Sequence, residues 1–506
     1  MNETTAIALT KYGLLGLYLG AVYWLSFVGM RKTTTLAGFS VGNKDMGPLL
    51  VGVVMASSIA STATFVINPG FVYTHGLSAL LHYGVAAQAG VALGLVLVCK
   101  GFRRVGDSHA CLTIPDWIRA RFGSPKLALF FALINLLSIT FVVLIMVGCA
   151  ILVGQLCGLS YVVSLVVVLV VVFSYVLMGG TYAHAYTNAV QGVLMAGVAV
   201  LLFFSGISEL DGGLMPALSG VSSDYAAVLN PRSALYGDVF SVFISAFVVT
   251  FALMMQPHIL TKVLYLRSDR DINRFLLTAI GFGSVYGLCL FVGLWARLRG
   301  IEVPPEAQDT VVARYVGEAF GAGLGGSMLA TFVLVALLAA GMSTLDGILV
   351  ALSAMVTHDL YLRLRPQDAA GGLRLSRYVL VGVGLLAFGL ALDPPQLVGL
   401  FAQKGVYGIA AASLVPILLG VLVRGPLSAS IAGLAAVTGL TLHLGLHLGA
   451  GVDNPAVSAC WAIFGSAALT GVAMGGQRLG QRLRQRLRGG LGTRDVRDPL
   501  VDARPA

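Results

Sequence analysis

Thirteen runs of roughly twenty mostly apolar residues succeed one another along this 506-residue chain: 9–30, 47–67, 78–99, 126–154, 160–178, 184–206, 237–263, 274–296, 326–360, 376–393, 397–422, 427–449 and 456–475. A run of that length is what a helix needs to cross about 30 Å of hydrocarbon. Lipid offers no partner to a free N–H or C=O, so each run must satisfy its own backbone, and the fold expected is an all-α polytopic membrane protein of about 13 transmembrane helices. Composition agrees, with 11% charged and 57% hydrophobic residues, against about 25% charged in soluble domains. The six cysteines show no metal-ligand spacing and read as small core residues. The polar start Met1-Asn2-Glu3-Thr4-Thr5 lacks the basic flank of a signal peptide, so the first run is expected to be a true span.

An odd number of spans puts the two termini on opposite sides, and the basic residues say which. Arg31, Lys32, Lys100, Arg103, Arg104, Arg119, Arg121, Lys126, Lys262, Arg267, Arg270, Arg274, Arg363, Arg365, Arg374, Arg377 and Arg424 fall on one side with the Arg-rich tail. The other side has fewer cations and an acidic loop carrying Glu209, Asp211 and Asp224. The expected topology is a multi-pass protein of the cell membrane with its N-terminus outside and C-terminus cytoplasmic. The net charge of +10 is thereby assigned to topology and anionic headgroups, not to nucleic acid. A transmembrane domain over 1–475 is expected, with 476–506 a basic, disordered cytoplasmic tail.

Of 22 acidic residues, only Asp346 lies deep inside an apolar run. A lone carboxylate there costs about 2.5 to 3.5 kcal/mol on insertion scales, so it marks a protein-facing or water-facing site. At 100° per residue, Ala340, Ser343 and Thr344 share one helix face with Asp346 nearby. Those oxygens suit a small hard cation; equally, Ser343 and Thr344 could bond back to carbonyls one turn earlier. In the second run, Ser57, Ser58, Ser61, Thr62 and Thr64 crowd eight positions and Asn68-Pro69-Gly70 follows. Such a helix is expected to break in mid-membrane, where freed carbonyls can bind an ion or solute. Packing at a small-residue helix contact is the alternative. Thr187, Asn188 and Gln191 form a polar stripe. Pro257, in Gln256-Pro257-His258, marks a second break. Thr113 to Gly123 carries the signals of a short amphipathic helix on the cytoplasmic face. Phe247, Phe251 and Tyr407 fit either a pocket wall or ordinary packing.

Taken in order, these stretches resemble the sodium:solute symporters, over about residues 9 to 475. The resemblance rests on Leu36-Ala37-Gly38, the Ser61 region with Pro69-Gly70, Ile114-Pro115-Asp116 to Gly123, Gly179-Gly180 to Gln191, Gln256-Pro257-His258-Ile259, Met342-Ser343-Thr344 and Asp359-Leu360-Tyr361. It implies a LeuT-type fold, with inverted five-helix repeats at about 47–206 and 237–422, one extra helix before them and two after. By position it implies a sodium site made by Ala340, Ser343 and Thr344 with the carbonyls of Ser57 and Ala60. Ser61, with Thr62 and Thr64 beside it, lies in family terms where ion and solute meet, and His82 and Tyr83 lie close to the solute pocket. Gln256-Pro257-His258 looks closest to the proline and pantothenate branches.

One departure stands out. Many members carry Asp where this chain has Asn188, so either Asp346 supplies the missing carboxylate to a second ion site or to coupling, or that site is gone. The function implied is sodium-coupled symport of a small organic solute, an organic anion, monocarboxylate or amino acid, by alternating access. Na+ would be the transported coupling ion, and a monomer is compatible with everything read here. Proton coupling on the same fold is the nearest alternative. An enzyme is not expected, because Asp346 has no nucleophile or base partner in sequence, and a tail of about 30 residues is too short for a sensor domain.

Overall fold

The computed structural model describes residues 3–321, 323–395 and 397–491. Among them the chain is helical throughout, with one isolated bridge, Met46 to Leu266, in place of any sheet. Ten helices are long and apolar enough to cross a membrane, and two bent pairs raise the number to twelve. The count of thirteen is therefore not reproduced as separate helices. The difference lies at Gly180, where the expected fifth and sixth spans run together as Tyr161–Phe204. At 1.5 Å per residue, those 44 residues would measure about 66 Å, twice the hydrocarbon thickness. Gly180 (φ 50°, ψ −132°) interrupts the helix there, in a conformation that glycine adopts without a Cβ clash.

Both expected breaks are present. Helix Pro48–Ile59 begins with proline in its first turn and ends where Ala60 turns extended (φ −86°, ψ 90°). Ser61 starts the second half, its Oγ accepting from Ala63 N at 3.0 Å and its carbonyl from Thr64 N at 3.0 Å. The two halves meet at 54°. In the other pair Gln256 is extended (φ −68°, ψ 146°), as the residue before a proline prefers, and the halves meet at 62°.

Helix Gly323–Met355 forms the middle of the bundle and is buried almost continuously from Val333 to Met355. The first helix, Glu3–Met30, is peripheral and exposes Leu9, Leu17 and Trp24, the apolar belt lipid requires. Helix Ile114–Phe122 forms as its signals predict, with Thr113 Oγ1 accepting from Asp116 N at 3.2 Å and Gly123 left-handed at φ 64°. Its Trp117 and Ile118 are buried against the bundle.

Two expectations change. Lys262, grouped above with the loop cations, is only 1% exposed and sits inside the second half of a broken span. The last helix runs Pro455–Leu491, so the first part of the stretch expected to be disordered is helical; leucines at 479, 483 and 487 repeat at helical spacing there. Residues 492–506 of that tail lie outside the described residues.

Candidate functional site

Ending a helix in mid-membrane leaves its last carbonyls without an N–H partner, and two hydroxyls from the central helix meet them. Ser343 Oγ donates to Ser57 O at 2.9 Å and to Ala340 O at 2.9 Å. Thr344 Oγ1 reaches Ser58 O at 3.2 Å and Ser57 O at 3.4 Å. All these residues are buried, and the contact joins elements 286 positions apart. Ala60 is buried beside them, but Ser58, not Ala60, supplies the second carbonyl that the hydroxyls reach. Glycine permits the approach: a Cβ on Gly341 would fall on Cys149 Sγ and stand 2.7 Å from Thr62 Cγ2. These carbonyl and hydroxyl oxygens form a set suited to a small hard cation.

Asp346 lies one turn further along the same helix, fully buried. Its Oδ1 is 2.7 Å from His184 Nδ1, and Tyr175 OH donates to Oδ2 at 3.4 Å. Asn188 serves a different set of bonds, its Nδ2 donating to Ser343 O at 2.6 Å and Ser58 Oγ at 3.2 Å. It thus braces the two strands of chain that make the oxygen site, and its own Oδ1 has no partner. His184 was absent from the residues singled out by sequence. The signal was available, since it stands one turn before Asn188 on the same polar stripe.

Next to the oxygen site is a cavity of about 160 Å³ lined by both broken spans. Of the expected solute contacts, Ser61, Thr64, Tyr83 and Tyr407 lie on its wall. Thr62, His82 and Phe251 do not. Thr62 packs against Gly148 and Gly341, and Phe251 against Gly90 and Gly94. His82 bonds Ser241 O at 2.9 Å and packs its ring on Tyr83 and Tyr236, so it positions Tyr83, whose OH is 3.0 Å from that of Tyr236. Sequence reading missed Gln88, Thr250 and Gln403, single polar residues within apolar runs, with no proline or hydroxyl cluster next to them to flag them. Among the described residues the wall holds no Asp, Glu, Lys or Arg; amides, hydroxyls and His258 supply its polarity.

Above one rim the segment Pro305–Thr310 rests on helix Asn68–His75, with Thr74 Oγ1 donating to Gln308 Oε1 at 3.1 Å. Burial pushes the neighbouring Asp309 carboxyl up to about 6, opposed by a hydrogen bond from the Val398 backbone.

The model of the sodium:solute symporter family matches residues 39–433. A sodium/pantothenate symporter of Escherichia coli (strain K12) is 27% identical over 461 residues, covering 85% of this chain and 91% of the relative. The sodium/pantothenate symporter of Haemophilus influenzae is 26% identical over 463 residues, covering 86% and 92%. Among solved structures, a substrate-bound, outward-open Na+-coupled sialic acid symporter superposes with a TM-score of 0.70 at 18% identity, covering 92% of this chain and 98% of its own. That likeness is one of fold.

Proposed function

This chain belongs to the sodium:solute symporter family and is a sodium-coupled symporter of a small organic solute, and we propose that the solute is a pantothenate-type carboxylate. The two relatives that suggest it match across most of their own lengths. The cavity is compatible in chemistry. Gln88, Gln256 and Gln403 offer amides and Ser61 and Thr64 hydroxyls, while Ile59, Val91 and Leu144 supply apolar wall. Pantothenate carries an amide, hydroxyls and a carboxylate on a compact branched skeleton.

The observation that carries the mechanism is the meeting of Ser343 and Thr344 with the freed carbonyls of Ser57 and Ser58. We assign sodium to this place, with Ala340 and Ala60 at its edge. The ion would draw the broken span onto the central helix. A ligand shifts a conformational equilibrium only by its differential affinity for the two states, so sodium favours the state in which these oxygens converge. Ser61 joins the sodium site to the solute cavity, because the same residue caps the second half-helix and lines the cavity wall. Two repeats, 47–206 and 237–422, then place one broken span at the head of each. With the basic side taken as cytoplasmic, the membrane potential contributes about 2.3 kcal/mol per charge per 100 mV to inward sodium movement.

Labelled pantothenate, short monocarboxylates, proline and sugars, offered to proteoliposomes with and without an inward sodium gradient, test the proposal. Sodium-driven accumulation of pantothenate is expected. Accumulation of another solute alone would overturn the substrate assignment, and sodium-independent, acid-stimulated uptake would overturn the ion.

A further inference from the structure

Among the described residues Lys262 is the only buried lysine. Its Nζ donates to the carbonyl of His258, one turn earlier. A carbonyl is no counter-charge, and an ammonium in a low-dielectric interior needs an anion. The buried carboxyl beside it belongs to Asp346, the chain neighbour of Gly347 on the central helix. The meeting place is Gly347, where a Cβ would stand 3.4 Å from Lys262 Nζ and 2.9 Å from His184 Cε1. Lys262 and His184 therefore converge over the backbone next to Asp346, to which His184 is already bonded at 2.7 Å.

Each end of this cluster belongs to an element that reaches the oxygen site or the cavity. The short segment carrying Lys262 begins with Gln256 and His258, both on the cavity wall. Gln256 Oε1 and His258 Nε2 are buried there without a hydrogen-bond partner. The helix carrying Asp346 holds Ser343 and Thr344 one turn before it. Tyr175 also faces the cluster, from the other side of the Gly180 break from His184.

We propose that Lys262 is a positioning residue that, through Asp346, transmits sodium binding at Ser343 and Thr344 to the cavity segment at Gln256 and His258. The inference rests on the sodium assignment and is independent of which solute is carried. The sign follows from charge. Sodium arrives about 3 to 4.5 Å along the helix axis from Asp346, draws on that carboxylate in competition with Lys262, and repels the ammonium. The segment 257–265 is thereby loosened as the oxygen site tightens, freeing Gln256 and His258 to take their missing partners from the solute. Two sites biasing one movable element is the physical content of coupling.

Amide hydrogen exchange of the purified full chain, with sodium alone as the probe, reads this directly. In the wild type, sodium should slow exchange in peptides covering 57–62 and 340–346 and speed it in 256–266, each by about tenfold. General stabilisation by an ion would slow all three. Lys262→Met should abolish the acceleration at 256–266 and keep the protection at 57–62. Because that variant leaves Asp346 without its cation, Lys262→Met/Asp346→Asn, which removes both charges together, is the second arm and should give the same result. Sodium-induced slowing or no change at 256–266 in the wild type, or acceleration that persists in both variants, overturns the proposal. Sodium-driven solute uptake is a separate measurement, so a wrong solute assignment leaves this readout intact.

Discussion

Replacing Ser343 with alanine removes one hydroxyl and leaves the fold around it otherwise unchanged in volume by little more than an oxygen. That hydroxyl bonds Ser57 O and Ala340 O, both at 2.9 Å, neutral contacts with a net worth of about 1 kcal/mol. Facing a cation, the same oxygen contributes about 1.5 to 3 kcal/mol. Sodium affinity depends on the difference, about 0.5 to 2 kcal/mol, so the half-saturating sodium concentration should rise about 2- to 30-fold. Thr344→Ala should do more. Its hydroxyl contacts are longer, 3.2 and 3.4 Å, so weaker neutral contacts offset the loss of the cation contact and the change should approach the upper figure. The assay is sodium dependence of solute uptake in proteoliposomes, at saturating solute, beside thermal unfolding in detergent to verify folding. An unchanged sodium dependence in folded Ser343→Ala and Thr344→Ala would refute the assignment of the ion to this place. The reverse order of the two effects would refute the reasoning about what the hydroxyls do without the ion.

Three further outcomes follow from the geometry. Gly341→Ala drives a methyl into Cys149 Sγ and Thr62; overpacking of this kind costs about 1 to 3 kcal/mol, so the unfolding temperature should fall, and Cys149→Ala should restore part of it. Gln256→Leu removes a buried carbonyl oxygen that has no partner and that the solute is expected to engage, so KM for solute should rise while half-saturating sodium stays the same. The Asp309 carboxyl is raised from 3.8 to about 6 by burial, so its contribution to stability is complete below the unfolded value and is lost as pH rises through 6. Asp309→Asn should therefore stabilise the protein at pH 8 by about 2 to 3 kcal/mol and have little effect at pH 4, measured as a difference in unfolding temperature; a pH-independent difference would contradict the burial.

Legibility differed from residue to residue for reasons that are physical. The breaks at Ala60 and Gln256 could be read because proline, glycine and clustered hydroxyls act on the chain next to them. Thr113 and Gly123 delimit a helix by the same local chemistry. Ser343 and Thr344 were marked by helical spacing, yet spacing could not say that Ser58 would present its carbonyl where Ala60 was expected. The pair Tyr161–Phe204 shows the converse limit, since its hydrophobicity reads as two spans and the backbone bends only at Gly180.

Lys262 was misplaced by a rule that assigns cations to loops, because the rule sees only distance along the chain from an apolar run. Asp346 was conspicuous in sequence as a carboxylate without a partner. Its partners, His184 at 162 positions away and Tyr175 at 171, exist only once the helices pack. The sequence by itself determined that the chain spans a bilayer many times, where two of its spans must break, and that hard oxygen donors cluster at one of those breaks. These are consequences of hydropathy and of backbone hydrogen bonds lost within a few residues. The tertiary structure alone decided which carbonyls meet Ser343 and Thr344, which side chains wall the cavity, and which side chains bond Asp346. Each of those is a distance between residues far apart in the chain, fixed by the packing of small residues such as Gly341 and Gly347, which local pattern does not encode.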